Sequence, residues 1–290
     1  MADLAKHIMV GVDYGGGFIA EVDPSSVKVT PGLAEAIQKC GAIHPQIKLG
    51  LTAEPTIELS FFDIKALSGP ALLSVGSPLK LYFRALSDTL GFGTGYISVT
   101  CTSGMAVPTT LGGGKGKLAT LGCTVHLTST DGDAAPFTVG TTSATLSAPT
   151  DFYCLGIVTL TTALAGVTEA SLDFGFKVAK DTGENGFPFP RKCWIADQDA
   201  KITTTVEGLA EATQARSAIG TAETTVTITF RKVTAALMPA NSGGYLVTGQ
   251  KAGVHVGTIS GGRPSTVQLI ADLIATAFDG TNYLQFASVA

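Results

Sequence analysis

The sequence predicts a mainly β protein: two related antiparallel sandwich- or barrel-like domains with one or two short helices. Three observations predict it. Apolar residues recur with a period of two, threonine fills many of the positions between them, and two blocks of sequence occur twice. Alternation of apolar and polar residues places each set on one face of a pleated strand. Threonine suits that surface, because its branched Cβ is restricted in helices and packs well on a sheet.

In chain order, Thr56 to Ile64 alternates through Ile57, Leu59 and Phe61, and Ile97, Val99 and Cys101 alternate after it. Leu172, Phe174, Phe176 and Val178 follow the same rule, as does Thr225 to Lys232, where Val226, Ile228 and Phe230 share a face. Glycine clusters at 91–95, 112–114 and 261–262, and Asp-Gly pairs at 131–132 and 279–280, mark turns between strands. Two segments read as helical. Ser265 to Asp279 follows Arg263-Pro264, offers Ser265 as N-cap, spaces Val267, Ile270, Ile274 and Phe278 by three and four, and stops at Gly280. Gly32 to Lys39 is a second, shorter candidate.

The repeat is explicit. Gly32 to Ile43 (GLAEAIQKCGAI) and Gly208 to Ile219 (GLAEATQARSAI) agree at eight of twelve positions. Thr52 to Phe61 (TAEPTIELSF) and Thr221 to Phe230 (TAETTVTITF) agree at five of ten, and upstream VKVT at Val27 matches AKIT at Ala200. Two matches in the same order point to duplication, with domains at 1–145 and 146–290 and a boundary in the small, polar stretch Gly140 to Pro149. Charge divides the same way: 9 basic and 11 acidic groups in residues 1–150, 10 and 12 in residues 151–290.

Only 14% of the 290 residues are charged, against about 25% in ordinary globular chains. So neutral a surface suits contact with neighbours. The net charge of −4 disfavours a nucleic-acid binder held by phosphate contacts, which needs a basic face. Cys40, Cys101, Cys123, Cys154 and Cys193 are widely spaced and lack any C-x-x-C pair, which predicts separate thiols rather than a disulfide framework or zinc site. The N-terminus lacks the character of a signal peptide. The longest apolar stretch, Phe152 to Val167, is too short for a spanning helix, so the expectation is a soluble protein made in the cytoplasm.

Chemical motifs are missing. His7, His44, His126 and His255 lack metal-ligand spacing. Gly112 to Leu118 (GGGKGKL) has Leu118 where a phosphate loop needs Ser or Thr, and reads instead as a hairpin loop carrying Lys115 and Lys117. The expectation is a protein without enzymatic activity, cofactor or metal.

The hairpin-like blocks Ala200 to Gly208 (AKITTTVEG) and Thr221 to Val233 (TAETTVTITFRKV) have counterparts at Val27 to Gly32 and Thr52 to Lys65. Together with the long Asp181 to Pro190 loop (DTGENGFPFP), they resemble the tail-tube proteins of long-tailed bacteriophages. The resemblance implies a virion protein whose tube domains form six-fold rings, stacked into a pipe that DNA passes without sticking. A duplicated chain would make each ring from three copies and would contact other tail proteins, with no membrane partner. The carboxylates at matching positions, Glu35 with Glu211 and Glu54 with Glu223, become candidates for the lumen or ring contacts. Lys115, Lys117, Glu184, Phe187 and Phe189 become candidates for contacts between rings. Two alternatives stay open: another virion component, such as a baseplate hub, decoration or capsid protein, and a β-sandwich ligand-binding module. The second is thin, because such modules use exposed aromatics and this chain has one tryptophan, Trp194.

Overall fold

The computed structural model describes residues 7–13, 19–21, 26–38, 47–62, 64, 79–86, 92–101, 103–142, 152–160, 162–182, 186–213, 224–233, 239–273 and 284–289. Within them the chain is mainly β, with every named strand pair antiparallel. One sheet has five strands in the order β11 (Phe137–Thr142), β8 (Phe92–Cys101), β7 (Leu79–Leu86), β1 (His7–Asp13) and β2 (Ile19–Glu21). A larger sheet begins with β12 (Phe152–Thr159), β17 (Thr224–Val233), β18 (Pro239–Ser260), β19 (Thr266–Leu273) and β16 (Lys201–Glu207). It continues through β13 (Val167–Asp173), β9 (Ser103–Gly114), β10 (Thr120–Thr128), β6 (Thr56–Phe61) and β3 (Lys28–Thr30), with β20 (Leu284–Val289) added on β18. Two hairpins stand apart: β4 (Leu33–Gln38) with β5 (Ile47–Ala53), and β14 (Phe176–Lys180) with β15 (Cys193–Gln198).

The expected alternation appears in the burial. Ile57, Leu59 and Phe61 of β6 and Val226, Ile228 and Phe230 of β17 are buried, while the residues between them are partly or fully exposed. Each fully buried apolar side chain of this size contributes about 1.5–3 kcal/mol of transfer free energy. These residues join one core that draws on both halves of the chain, from Ile57 to Leu273. Pairing of β9 with β13 (Leu111 opposite Leu172) carries the large sheet across the two halves. The five-stranded sheet packs onto the same core through Leu81 and Cys101. Only residue 102 separates β8 from β9, so the chain passes almost directly from one sheet to the other.

Strand β9 is buried on both faces between Gly104 and Pro108, which accounts for its unbroken run GMAVP. Ala106 enters the main core, whereas Met105 and Val107 point the other way, under the β14–β15 hairpin, with Cys193, Val178 and Ile195. Pro108 lacks an N–H and sits where the register against β10 shifts, the kind of position a sheet allows proline.

Several expectations are corrected. Ser265 to Asp279 is not a helix over its described part: Thr266–Leu273 is strand β19, paired on both sides, with Val267, Leu269, Ala271 and Leu273 buried. Those residues follow a period of two that coexists with the helical spacing; flanking strands select between them. Ile274 and Phe278 lie outside the described residues. Gly32 to Lys39 is likewise strand β4 over Leu33–Gln38. Among the described residues, helical geometry is found at Ala212–Thr213, in a turn where the amides of Ala212 and Thr213 donate to the Leu209 and Ala210 carbonyls. The run Leu172 to Val178 is two strands, broken at Gly175. That glycine has φ +61°, and a Cβ there would overlap the Asp199 carbonyl. Phe92–Gly95 belongs to β8 rather than a turn, and Gly112–Gly114 to β9, leaving the turn to Lys115–Lys117.

The repeated blocks correspond in part. Gly32 and Gly208 both take positive φ (58° and 94°), and β6 and β17 bury equivalent faces. The following GLAEA segments differ, one forming a strand and the other the turn before Ala212. Strand β3 pairs directly with β6, whereas β16 and β17 are separated by β19 and β18. Among the described residues, no helix is long and apolar enough to cross a membrane.

Candidate functional site

The features most suited to a role between molecules are two strand edges. Strand β11 pairs only with β8, and among the described residues its other edge has no strand. Its residues 137–141 are exposed on both faces, with Phe137 at 43% and Val139 at 66%. The sequence FTVGTT carries no charge, no proline and no bulge against β8, the devices that normally blunt an edge. Strand β3 ends the large sheet in the same way, with Val29 at 61% exposure and Leu33 exposed just beyond it. That edge is partly guarded, since Lys28 reaches Glu58 at 3.4 Å.

The carboxylates at repeated positions divide. Glu54 forms an ion pair with Lys180 at 3.5 Å, and its amide donates to the Gly32 carbonyl at 3.0 Å. Glu211 accepts from the Ala165 amide at 3.4 Å. Both therefore make contacts within their own chain. Glu35 lies on β4 by its backbone, and Glu223 lies outside the described residues.

The loop residues divide as well. Lys115 and Lys117 occupy the exposed turn between β9 and β10, where Lys117 stands 3.8 Å from Glu169. The described part of the Asp181 to Pro190 loop folds back on its own chain: Pro188 and Pro190 carbonyls accept from Ala53 and Ser129 amides. Phe189 donates its amide to the Gly132 carbonyl, and Phe187 packs on Gly132 with the Arg191 guanidinium 5.3 Å from its ring centre. Gly132 has φ +85°, and a Cβ there would run into the Phe187 ring. Glu184 lies outside the described residues.

One polar group was not legible in the sequence. Lys180, at the end of β14, is only 8% exposed and brings its charge to Glu54 and to His126 of β10. Burial and the Lys180 charge push the His126 pKa down to about 4, against an opposing pull from Glu54. Its Nδ1 is buried without a hydrogen-bond partner. The three residues lie on three separate strands or strand ends, so no local motif announces them. The thiols of Cys101, Cys123 and Cys193 are buried and free, and Cys154 is half-buried; burial pushes Cys101 up to about 12. Cys40 lies outside the described residues. Among the described residues, no three potential metal ligands cluster.

A scan against models of known protein families finds no match to this chain, and a search of curated proteins finds no match either.

Proposed function

We propose that this chain is a virion structural subunit that assembles with its own copies through strand edges. Three copies make a pseudo-six-fold ring, and stacked rings form a tail tube for DNA passage. The observation that carries the reading is β11, a neutral edge strand exposed on both faces and presenting Phe137 and Val139. An unprotected edge of this kind is a template for another strand, and closing sheets across subunits removes it. The low charge of the chain favours the same outcome, since few charges oppose contact between copies. The sequence repeat is the reason for three copies rather than six.

Negative-stain electron microscopy of the purified chain tests the reading. Hollow filaments or three-fold rings are expected, and Val139→Lys, which puts a charge on the β11 edge, should shift the population to smaller species in sedimentation velocity. Monomers at high concentration in the unsubstituted protein would overturn it. Flat lattices or rings that never stack would favour another virion component.

A further inference from the structure

The large sheet curls back on itself at a seam. Leu118, just before β10, bridges Cys154 of β12, and the Ala119 amide donates to the Tyr153 carbonyl at 2.7 Å. Beyond that bridge the pairing of β12 with β17 shifts register between Leu155 and Val158, a bulge centred on Gly156 and Ile157. A side chain at 156 would meet the Thr229 carbonyl, so the close approach there depends on glycine.

The interrupted seam leaves an open cleft of about 430 Å³, within the size range of small-molecule sites. Its apolar wall is Leu118, Leu155, Val167 and Val233, and Leu118 is 40% exposed. Lys115 and Lys117 line it from the β9–β10 turn. Arg231 lies directly across from Cys154 in the pairing of β12 with β17, so the two side chains share a face. One carboxylate, Glu169, faces Lys117. Lys115 and Arg231 have no carboxylate partner among the described residues. Two lysines thus line the apolar wall against one carboxylate, with Arg231 one strand away, in a chain whose net charge is −4.

We infer that this cleft binds a small monoanionic amphiphile, its acidic head between Lys115 and Lys117 and its apolar body along Leu118, Val167 and Val233. The local charge selects the sign of the ligand, because the positive rim opposes cationic chains and adds nothing for neutral ones. The wall selects an aliphatic or aromatic body, since burial of apolar surface is the remaining source of affinity. The site does not depend on the assembly proposed above.

Equilibrium dialysis of the full chain against decanoate, decyltrimethylammonium and decyl maltoside tests it. Decanoate should bind saturably at a single site, with affinity reduced about tenfold or more in Lys115→Glu/Lys117→Glu. Both lysines are exposed, so the variant should keep the wild-type circular dichroism spectrum. Bound decanoate should also slow alkylation of Cys154 by iodoacetamide, read by peptide mass spectrometry. Absence of saturable binding, equal binding of all three amphiphiles, or unchanged decanoate affinity in the double variant would each overturn the inference.

Discussion

Lys180 organises one corner of the molecule by holding a charge where little water reaches it. Glu54 compensates that charge at 3.5 Å, and His126, facing the same ammonium, stays neutral. The consequence for pH follows from the direction of the shift. The unfolded histidine takes up its proton near pH 6.5, the folded one only near pH 4. The contribution is therefore complete above pH 6.5 and is lost as pH falls from 6.5 to about 4. Because the ring is partly solvated, the loss should be about 1–3 kcal/mol. Urea unfolding across this range should show a shallower decline in His126→Gln than in the unsubstituted chain; equal declines would remove His126 from the account. Thr204 gives a simpler case. It points into the core between Ile202 and Val206, 1% exposed, with its hydroxyl unpartnered. Thr204→Val should stabilise the protein by about 1 kcal/mol, visible as a higher melting temperature, by removing an unsatisfied polar group at constant shape. Its inward phase is legible in the alternation of KITTTVE; the missing hydrogen bond is not.

At the scale of elements, the limits of local pattern are clear in two places. Residues 266–273 satisfy helical spacing and strand alternation together, and β16 and β18 on either side select the strand. The GLAEA segments go further, because one short sequence is a strand at Leu33 and a turn at Leu209. Propensity differences of a few tenths of a kcal/mol per residue cannot outweigh a sheet edge that supplies hydrogen bonds and burial. The break between β13 and β14 is different, for it rests on one residue. Gly175 has positive φ and touches the Asp199 backbone, which in turn donates its amide to the Gly175 carbonyl at 3.0 Å. Gly175→Ala should cost about 2–3 kcal/mol through backbone strain and a clash with a carbonyl that cannot rotate away. A chemical denaturation midpoint unchanged by this substitution would contradict that account.

The described residues of both halves share the main core, with β9 paired to β13 across them. Calorimetry should therefore give a single cooperative transition for the full chain, and two separate transitions would mean halves that unfold independently. Expressed without residues 1–145, the second half would lose β9 and expose the edge of β13, so it should aggregate rather than fold as a monomer. Among the described residues of the full chain, β11 is a comparable open edge. Its alternation, with Phe137 and Val139 in phase, was present in the sequence just before the stretch taken as the domain boundary. What the sequence lacked was any sign that, among the described residues, no strand pairs with its other edge.

By itself the sequence determined the β class, the buried faces of β6 and β17, the spacing of much of the core and the sparse charge of the surface. These are properties of short stretches, because side-chain direction alternates along a single strand whatever its neighbours are. Only the tertiary structure decided that residues 266–273 form a strand, that β3 meets β6 while β16 and β17 stay apart, and that Lys180, Glu54 and His126 share a corner. Those outcomes depend on pairing between distant residues, where hydrogen bonds and burial come from strands far away in the chain and outweigh local preference.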